Sequence, residues 1–284
     1  MSDCASLAGN ATKITARGFG WTHAGRSEAA LSDIDVVIEP GERVLLCGDS
    51  GSGKSTLLAA MAGVLGSDEE GTRTGELLLE DSSGLVEEPG HTIPVGLVLQ
   101  DPDSQVISAR VGDDIAFGCE NLAYPREEIW RRVAAAKELV GPFVDLDFPT
   151  ERLSGGQKQR LALAGVIAMG AGVVLLDEPT ANLDPAGARD VVRAVSRLVE
   201  ETGATLVVVE HQHAAWDGVL DRAVELDHGR IVADTSFAEV AQRRQVSGLP
   251  QARRLSEAEL AQRDAALWST DLVTRYGPPR TIAL

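Results

Sequence analysis

Two short runs in this chain carry residue types that could do chemistry, and both point to phosphate. Gly48-Asp-Ser-Gly-Ser-Gly-Lys-Ser55 has the form G-x-x-x-x-G-K-[ST], with Ser50, Gly51, Ser52 and Gly53 inside it and Thr56 directly after. Set between an apolar strand and a helix, such a loop turns successive backbone N–H groups inward to cradle α- and β-phosphates. The helix behind it adds the positive end of its dipole. Lys54 then reaches the β- and γ-phosphates of a nucleotide, and the Ser55 hydroxyl is placed on a magnesium ion. The second run is Leu153-Ser-Gly-Gly-Gln-Lys-Gln-Arg160. At a helix N-terminus, Ser154 and the N–H groups of Gly155 and Gly156 form another phosphate-binding surface, with Ser154 also suited to cap the helix.

The flanks supply the elements these motifs need. Val44-Leu-Leu-Cys47 reads as a buried strand and Ser55-Thr-Leu-Leu-Ala-Ala-Met61 as a helix of good formers. A merely flexible Gly-Ser turn has no reason to put Lys-Ser-Thr at a helix start. The strand-like runs Val173–Leu176 and Thr205–Val209 flank a helical stretch, Gly187–Glu201, and so predict a β-α-β unit and a parallel sheet. Asp177 and Glu178 then fall at the carboxyl edge of that sheet, where ligands bind in open α/β folds. Asp177 is placed to hold magnesium, mainly through water, and Glu178 to polarise a water attacking the γ-phosphate. Without the phosphate loop, two acids at a strand end would be ordinary solvated residues.

Elsewhere, Ile14–Glu39 alternates polar and apolar residues, the pattern of half-buried strands, and Glu76–Glu80 and Val95–Leu99 continue it. Residues 103–165 read as helical, most clearly Arg126–Val140, where Ile129, Val133, Ala136, Leu139 and Val140 recur at helical spacing behind Pro125. Composition shifts near Val246. Leu249-Pro250 breaks the pattern, Ser256-Glu-Ala-Glu opens a short helix, and Gly277-Pro-Pro279 begins a Pro-rich tail. No internal repeat or long heptad run is present.

The chain has 284 residues, 44% hydrophobic, enough for a sizeable core, and a net charge of −17. That charge disfavours non-specific binding to nucleic acid. Three widely spaced cysteines, Cys4, Cys47 and Cys119, fit a reducing compartment better than a disulfide framework. Met1–Thr12 lacks a basic start followed by an apolar core, so no secretory signal is expected, and a cytoplasmic protein is. Residues 161–176 are free of charge, but they are short for a bilayer crossing of about 20 residues. Interrupted by Gly165, Gly170 and Gly172, they read as a buried helix end, a tight turn and a strand.

With these motifs in this order, the chain resembles the ABC-type ATPases over residues 12 to 235. Phosphate loops are shared by many NTPases, whereas Leu153-Ser-Gly-Gly-Gln157 is that family's signature. The resemblance implies an α/β P-loop NTPase with a RecA-like parallel-sheet core and an antiparallel β subdomain. It also implies a helical subdomain at 103–165 within an ATPase domain at 12–245, and a short extension at 246–284. It implies ATP and Mg2+ as cofactors. Gln100 matches the lid glutamine that touches magnesium or water, and His211 the switch histidine that bonds the γ-phosphate. Asn182-Leu-Asp184 matches the loop that crosses to a second subunit. Trp21 falls where an aromatic ring stacks on adenine, with Phe19 expected in the core. Two such domains pair head to tail in the family, so the signature, through Ser154, Gly155, Gly156 and Gln157, acts on the partner's nucleotide. The partner is a second copy or a paralogue.

Gln100-Asp-Pro-Asp-Ser-Gln105, Val111-Gly-Asp-Asp-Ile-Ala-Phe-Gly118 and Val209-Glu-His211 are similar to the ATPases of energy-coupling factor transporters, which import vitamins and transition-metal ions such as cobalt and nickel. Asp101 and Ser104 depart from that group, where Asn is common. An importer ATPase needs integral-membrane partners and sits on the inner face of the membrane. A DNA-repair or chromosome-maintenance ATPase would share the site. The interval from Gln100 to Leu153 leaves no room for the long coiled coil many of those carry, and the surface is acidic. Translation-acting relatives normally carry two ATPase domains, and a small-molecule kinase does not explain Leu153–Gln157.

Overall fold

The computed structural model describes residues 11–65, 70–141 and 144–248. In chain order the first half holds β1 (Lys13–His23), β2 (Leu31–Ile38), β3 (Arg43–Gly48), α1 (Lys54–Met61), β4 (Gly71–Glu80), β5 (Val86–Glu87) and β6 (Val95–Val98). Then come α2 (Val111–Asn121), α3 (Arg126–Leu139), α4 (Gly155–Met169), β7 (Val173–Asp177), α5 (Pro185–Thr202), β8 (Thr205–Val209), β9 (Arg222–Asp227), β10 (Arg230–Ser236) and α6 (Phe237–Gly248).

The strands form two sheets. An antiparallel sheet has the order β2-β1-β4-β5, and a six-stranded one has the order β10-β9-β3-β8-β7-β6. In the larger sheet β9, β3, β8, β7 and β6 run parallel and β10 closes the edge antiparallel. The central strands read as unbroken apolar runs because both faces are covered. Side chains alternate between faces at period two. Val44, Leu46, Val173, Leu175, Val207 and Val209 join one core with Leu57, Leu58 and Met61 of α1 and with β1 and β2. Leu45, Cys47, Val174, Leu176, Leu206 and Val208 join the other, beneath α4 and α5.

Residues 103–165 are not one helical stretch. Residues 103–110 and 144–154 are loop apart from a single 3-10 turn, Thr150–Arg152, and the helices α2, α3 and α4 pack around Val111, Ile115, Val133 and Leu161. The uncharged 161–176 run divides as expected. α4 ends at Met169, Gly170 closes it in the left-handed region at φ 74°, and β7 begins at Val173. Among the described residues, no helix is long and apolar enough to cross a membrane. Cys47 and Cys119 are buried and neither is in a disulfide; burial pushes the Cys119 thiol up to about 11.

The unit holding these sheets ends at Ala241, and a second begins at Gln242. The expectations for the N-terminal Met1–Asn10, for Cys4 and for the segment beyond Gly248, including the Ser256 helix and the Pro-rich tail, lie outside the described residues.

Candidate nucleotide site

The loop between β3 and α1 is bent by glycines at Gly48, Gly51 and Gly53, all with positive φ. At Gly48 the need is double: φ is 138°, and an added Cβ would stand 2.0 Å from the Leu226 carbonyl oxygen. Gly53 opens α1 without a side-chain cap, and the first intrahelical donor is the Leu57 N–H, to the Gly53 carbonyl at 2.9 Å. The N–H groups of Lys54, Ser55 and Thr56 therefore have no acceptor within the helix, the arrangement that receives an anion. Lys54 is buried, and its ammonium donates to the Gly48 and Asp49 carbonyls at 3.0 and 2.7 Å. Ser50 and Gly51 are exposed on the loop, and Ser55 is exposed in the first turn of α1. Ser52 is buried: its hydroxyl lies against Gly48, and its N–H donates to the Asp49 carbonyl at 3.1 Å, which helps fix the curve of the loop.

Beside this cradle, the Ser55 hydroxyl lies near the Asp177 carboxylate and favours its ionised form. Burial pushes the Asp177 carboxyl above its ordinary value, opposed by Ser55 and by the nearby Lys54 ammonium. One carboxylate, one hydroxyl and the Gln100 amide are all oxygen donors, and they fit magnesium, which takes one or two carboxylates plus substrate phosphates.

β7 ends at Asp177, and the chain then turns sharply: Glu178 has φ 47°, uncommon for a residue with a Cβ. Its N–H stays on the Val209 carbonyl at 2.9 Å. The turn aims the carboxylate between two residues distant in sequence. Gln100 Nε2 donates to Glu178 Oε2 at 3.1 Å, and His211 Nε2 lies 3.0 Å from Glu178 Oε1. Gln100, Glu178 and His211 are thus brought together next to Asp177, Ser55 and Lys54.

The signature residues and Asp184 form a separate group. Ser154 caps α4 reciprocally with Gln157: the Ser154 N–H donates to Gln157 Oε1 at 2.8 Å, and the Gln157 N–H to the Ser154 hydroxyl at 3.4 Å. Asp184 caps α5, accepting from the Gly187 N–H at 3.0 Å. Side chains added at Gly155 or Gly156 would meet Leu183 and Gly187. The two caps therefore stand side by side.

Trp21 is not where the resemblance put it. Its ring is 5% exposed and packs with Phe19 in the core below the antiparallel sheet, and a Cβ at Gly71 would strike it. The cause is β1, whose pairing slips between Ala16 and Phe19 and again between Phe19 and Trp21. The Trp21 indole N–H donates to His23 Nδ1 at 3.1 Å, and the ring left exposed is that of His23.

Two further residues bind the site together without having been singled out for it. Gln105 accepts the Leu99 N–H at 2.8 Å and donates to the Leu99 and Asp101 carbonyls, closing the loop that carries Gln100. Gln159, fully buried on α4, donates to the same Leu99 carbonyl at 3.1 Å and accepts from Gln105 at 3.3 Å. Nothing in the signature run marks Gln159 as buried; the fold alone sets its zero exposure.

A family model described as ABC transporter matches residues 31–181. The energy-coupling factor transporter ATP-binding protein EcfA1 of Caldanaerobacter subterraneus subsp. tengcongensis is 39% identical over 216 residues, 76% of this chain and 76% of that protein. ABC transporter ATP-binding proteins of Methanosarcina mazei and Methanosarcina acetivorans are 38% and 37% identical over 227 residues, or 78% of this chain. The chain spans only 39% and 35% of their lengths. Among solved structures, cbiO1 from Clostridium perfringens, part of the ABC transporter complex cbiONQ, aligns with a TM-score of 0.69 at 30% identity, covering 82% of this chain and 92% of that one. A dimeric ATP-binding cassette in a post-hydrolysis state, bound to ADP and Pi, aligns with a TM-score of 0.65 at 22% identity over 79% and 98% of the two chains, a likeness of fold.

Proposed function

The chain belongs to the ABC transporter family, and from that premise we propose that it binds and hydrolyses ATP to drive a membrane importer of energy-coupling factor type. The observation that carries the reading is the Glu178 carboxylate, turned out of the strand at φ 47° and fixed by Gln100 and His211 beside the phosphate loop. Such a carboxylate can take the proton of a water attacking the γ-phosphate in line. His211, already bonded to Glu178, is placed to bond the γ-phosphate, and Gln100 to hold the water from the other side. Lys54 would exchange its two carbonyl partners for β- and γ-phosphate oxygens. Ser55, Asp177 and Gln100 would hold Mg2+, which when bound neutralises charge on the bridging phosphates.

The adjacent caps of Ser154 and Asp184 belong, in this reading, to the nucleotide of a second ATPase subunit, a copy or a paralogue. Closure on ATP is favoured because the γ-phosphate is contacted from both sides, a contact the diphosphate lacks. Three helices, α2 to α4, would pass this movement to integral-membrane subunits, placing the chain on the inner face of the membrane. The relative named as an energy-coupling factor transporter ATP-binding protein, and the neighbour that is part of a transporter complex, support this assignment. The cargo, a vitamin or a transition-metal ion in such systems, is selected by the membrane partners.

The test is phosphate release from Mg-ATP by the purified chain, with Lys54→Ala beside it. The wild type should turn over, and the variant should lose nucleotide affinity. Unchanged ATP binding in Lys54→Ala would contradict the phosphate role.

A further inference from the structure

Glu210 precedes His211 at the end of β8, and its side chain is 5% exposed. Burying a carboxylate is costly unless its oxygens are occupied, and here both are. Oε1 accepts the Thr180 hydroxyl. Oε2 accepts the backbone N–H groups of His211 at 2.8 Å and of Gln212 at 3.2 Å. The Glu210 carbonyl lies 3.1 Å from His213 Nε2, which closes the turn after β8.

The hydroxyl comes from a different loop. Thr180, 4% exposed, follows Glu178 and Pro179 in the segment that ends at the Asp184 cap. That segment is held by contacts rather than by local preference. Glu178 and Asn182 sit at φ 47° and 61°, the Ala181 N–H bonds the Glu178 carbonyl at 3.0 Å, and the Leu183 N–H bonds the Thr180 carbonyl at 3.4 Å. Leu183 in turn lies 3.5 Å from where a Cβ on Gly155 would be. One buried carboxylate thus ties the turn bearing His211 to the loop bearing Asp184, next to the signature cap.

We propose that Glu210 is a positioning residue that couples His211 to the 180–184 loop, so that contact of His211 with a γ-phosphate shifts the surface offered to the second subunit. The inference rests on the nucleotide reading above. Its elements are two hydrogen-bonding arms of one rigid, buried group, so neither loop can move far without straining the other's bonds. The Thr180 hydroxyl is the arm that can be removed alone: Thr180→Val keeps the shape and deletes the donor, and Thr180→Ser restores it.

The experiment is hydrogen exchange of the full chain with and without Mg-ATP, read in peptides covering 48–56 and 178–186. In the wild type ATP should slow exchange in both. In Thr180→Val the slowing at 48–56 should persist, while the ATP effect at 178–186 falls by about fivefold or more, the lower end of site-to-site couplings. Thr180→Ser should behave as wild type. A full ATP effect at 178–186 in Thr180→Val, or its loss in Thr180→Ser as in Val, overturns the coupling. If Thr180→Val does not fold, Thr180→Ala is read by the same criterion, since it deletes the same hydroxyl donor and leaves Glu210 Oε2 on the His211 and Gln212 N–H groups. Absence of any ATP effect at 48–56 in the wild type instead overturns the nucleotide reading, and the coupling with it.

Discussion

Replacing Glu178 with Gln removes a proton acceptor with little change of shape, and the structure sets what else should change. The carboxylate is held by Gln100 Nε2 at 3.1 Å and His211 Nε2 at 3.0 Å. A glutamine can keep both bonds, its oxygen accepting from Gln100 and its amide donating to His211 with the imidazole proton on Nδ1. The strain at φ 47° is the same for both side chains, so stability should move by only about 0.5 kcal/mol. If Glu178 only braced its neighbours, the altered bond would be worth about 0.5–1.5 kcal/mol, a loss of roughly two- to tenfold in rate. A general base contributes about 10²–10⁴, or about 2.7–5.4 kcal/mol of barrier. The two roles are therefore separable by magnitude. Steady-state phosphate release at saturating Mg-ATP should fall by more than about a hundredfold. Nucleotide titration should be nearly unchanged, because Lys54 is held by Gly48 and Asp49 and not by Glu178. Light scattering should show a dimer trapped by ATP. A kcat within tenfold of wild type, or a loss of affinity that accounts for the whole effect, would refute the assignment.

Trp21→Ala should lower unfolding free energy by about 3–5 kcal/mol in urea melts, since the ring is 5% exposed in the core; an unchanged midpoint would return the ring to the base-stacking role. Gln105→Ala should cost about 1 kcal/mol and speed exchange of the Leu99 amide, which loses its partner; kcat should fall while stability at the phosphate loop holds, and an unaltered kcat would leave Gln105 a purely structural tie. Asp114 accepts the Ile107 and Ser108 N–H groups at 2.8 Å each, yet burial raises its carboxyl above the ordinary value of 3.8. The folded state then binds the proton more tightly than the unfolded chain, so the ionised form weakens the fold at neutral pH and the penalty vanishes as pH falls through the folded value. Asp114→Asn, which keeps an acceptor oxygen, should be at least as stable as wild type near pH 7, with the difference shrinking toward about pH 4 in urea midpoints; a variant weaker at neutral pH would reverse the sign.

The sequence by itself determined what depends on neighbours along the chain. β8 occupies Thr205–Val209, as that strand-like run predicts, and α3 covers Arg126–Leu139, one residue short of the apolar spacing. The glycines of the phosphate loop and the Ser154–Gln157 cap are likewise local, because φ and capping are fixed within a few residues. Placing Glu178 between Gln100 and His211 was anticipated only through resemblance. The contact itself joins β6, β7 and β8, which are neighbours in the sheet but not in the chain.

Other features were decided by tertiary structure alone. The two slips of β1 against β2 bury Trp21 and leave His23 exposed; Gly18, at φ 55°, permits the first slip, but which ring it buries is set only by the pairing with β2. Gln159 looks like any polar residue on a helix until the Leu99 carbonyl and Gln105 surround it. Glu210 reads as a strand-end acid until Thr180 is folded against it. A polar side chain's partner is set by which backbone and side-chain groups lose their water when strands take their order, and that order is a property of the whole chain.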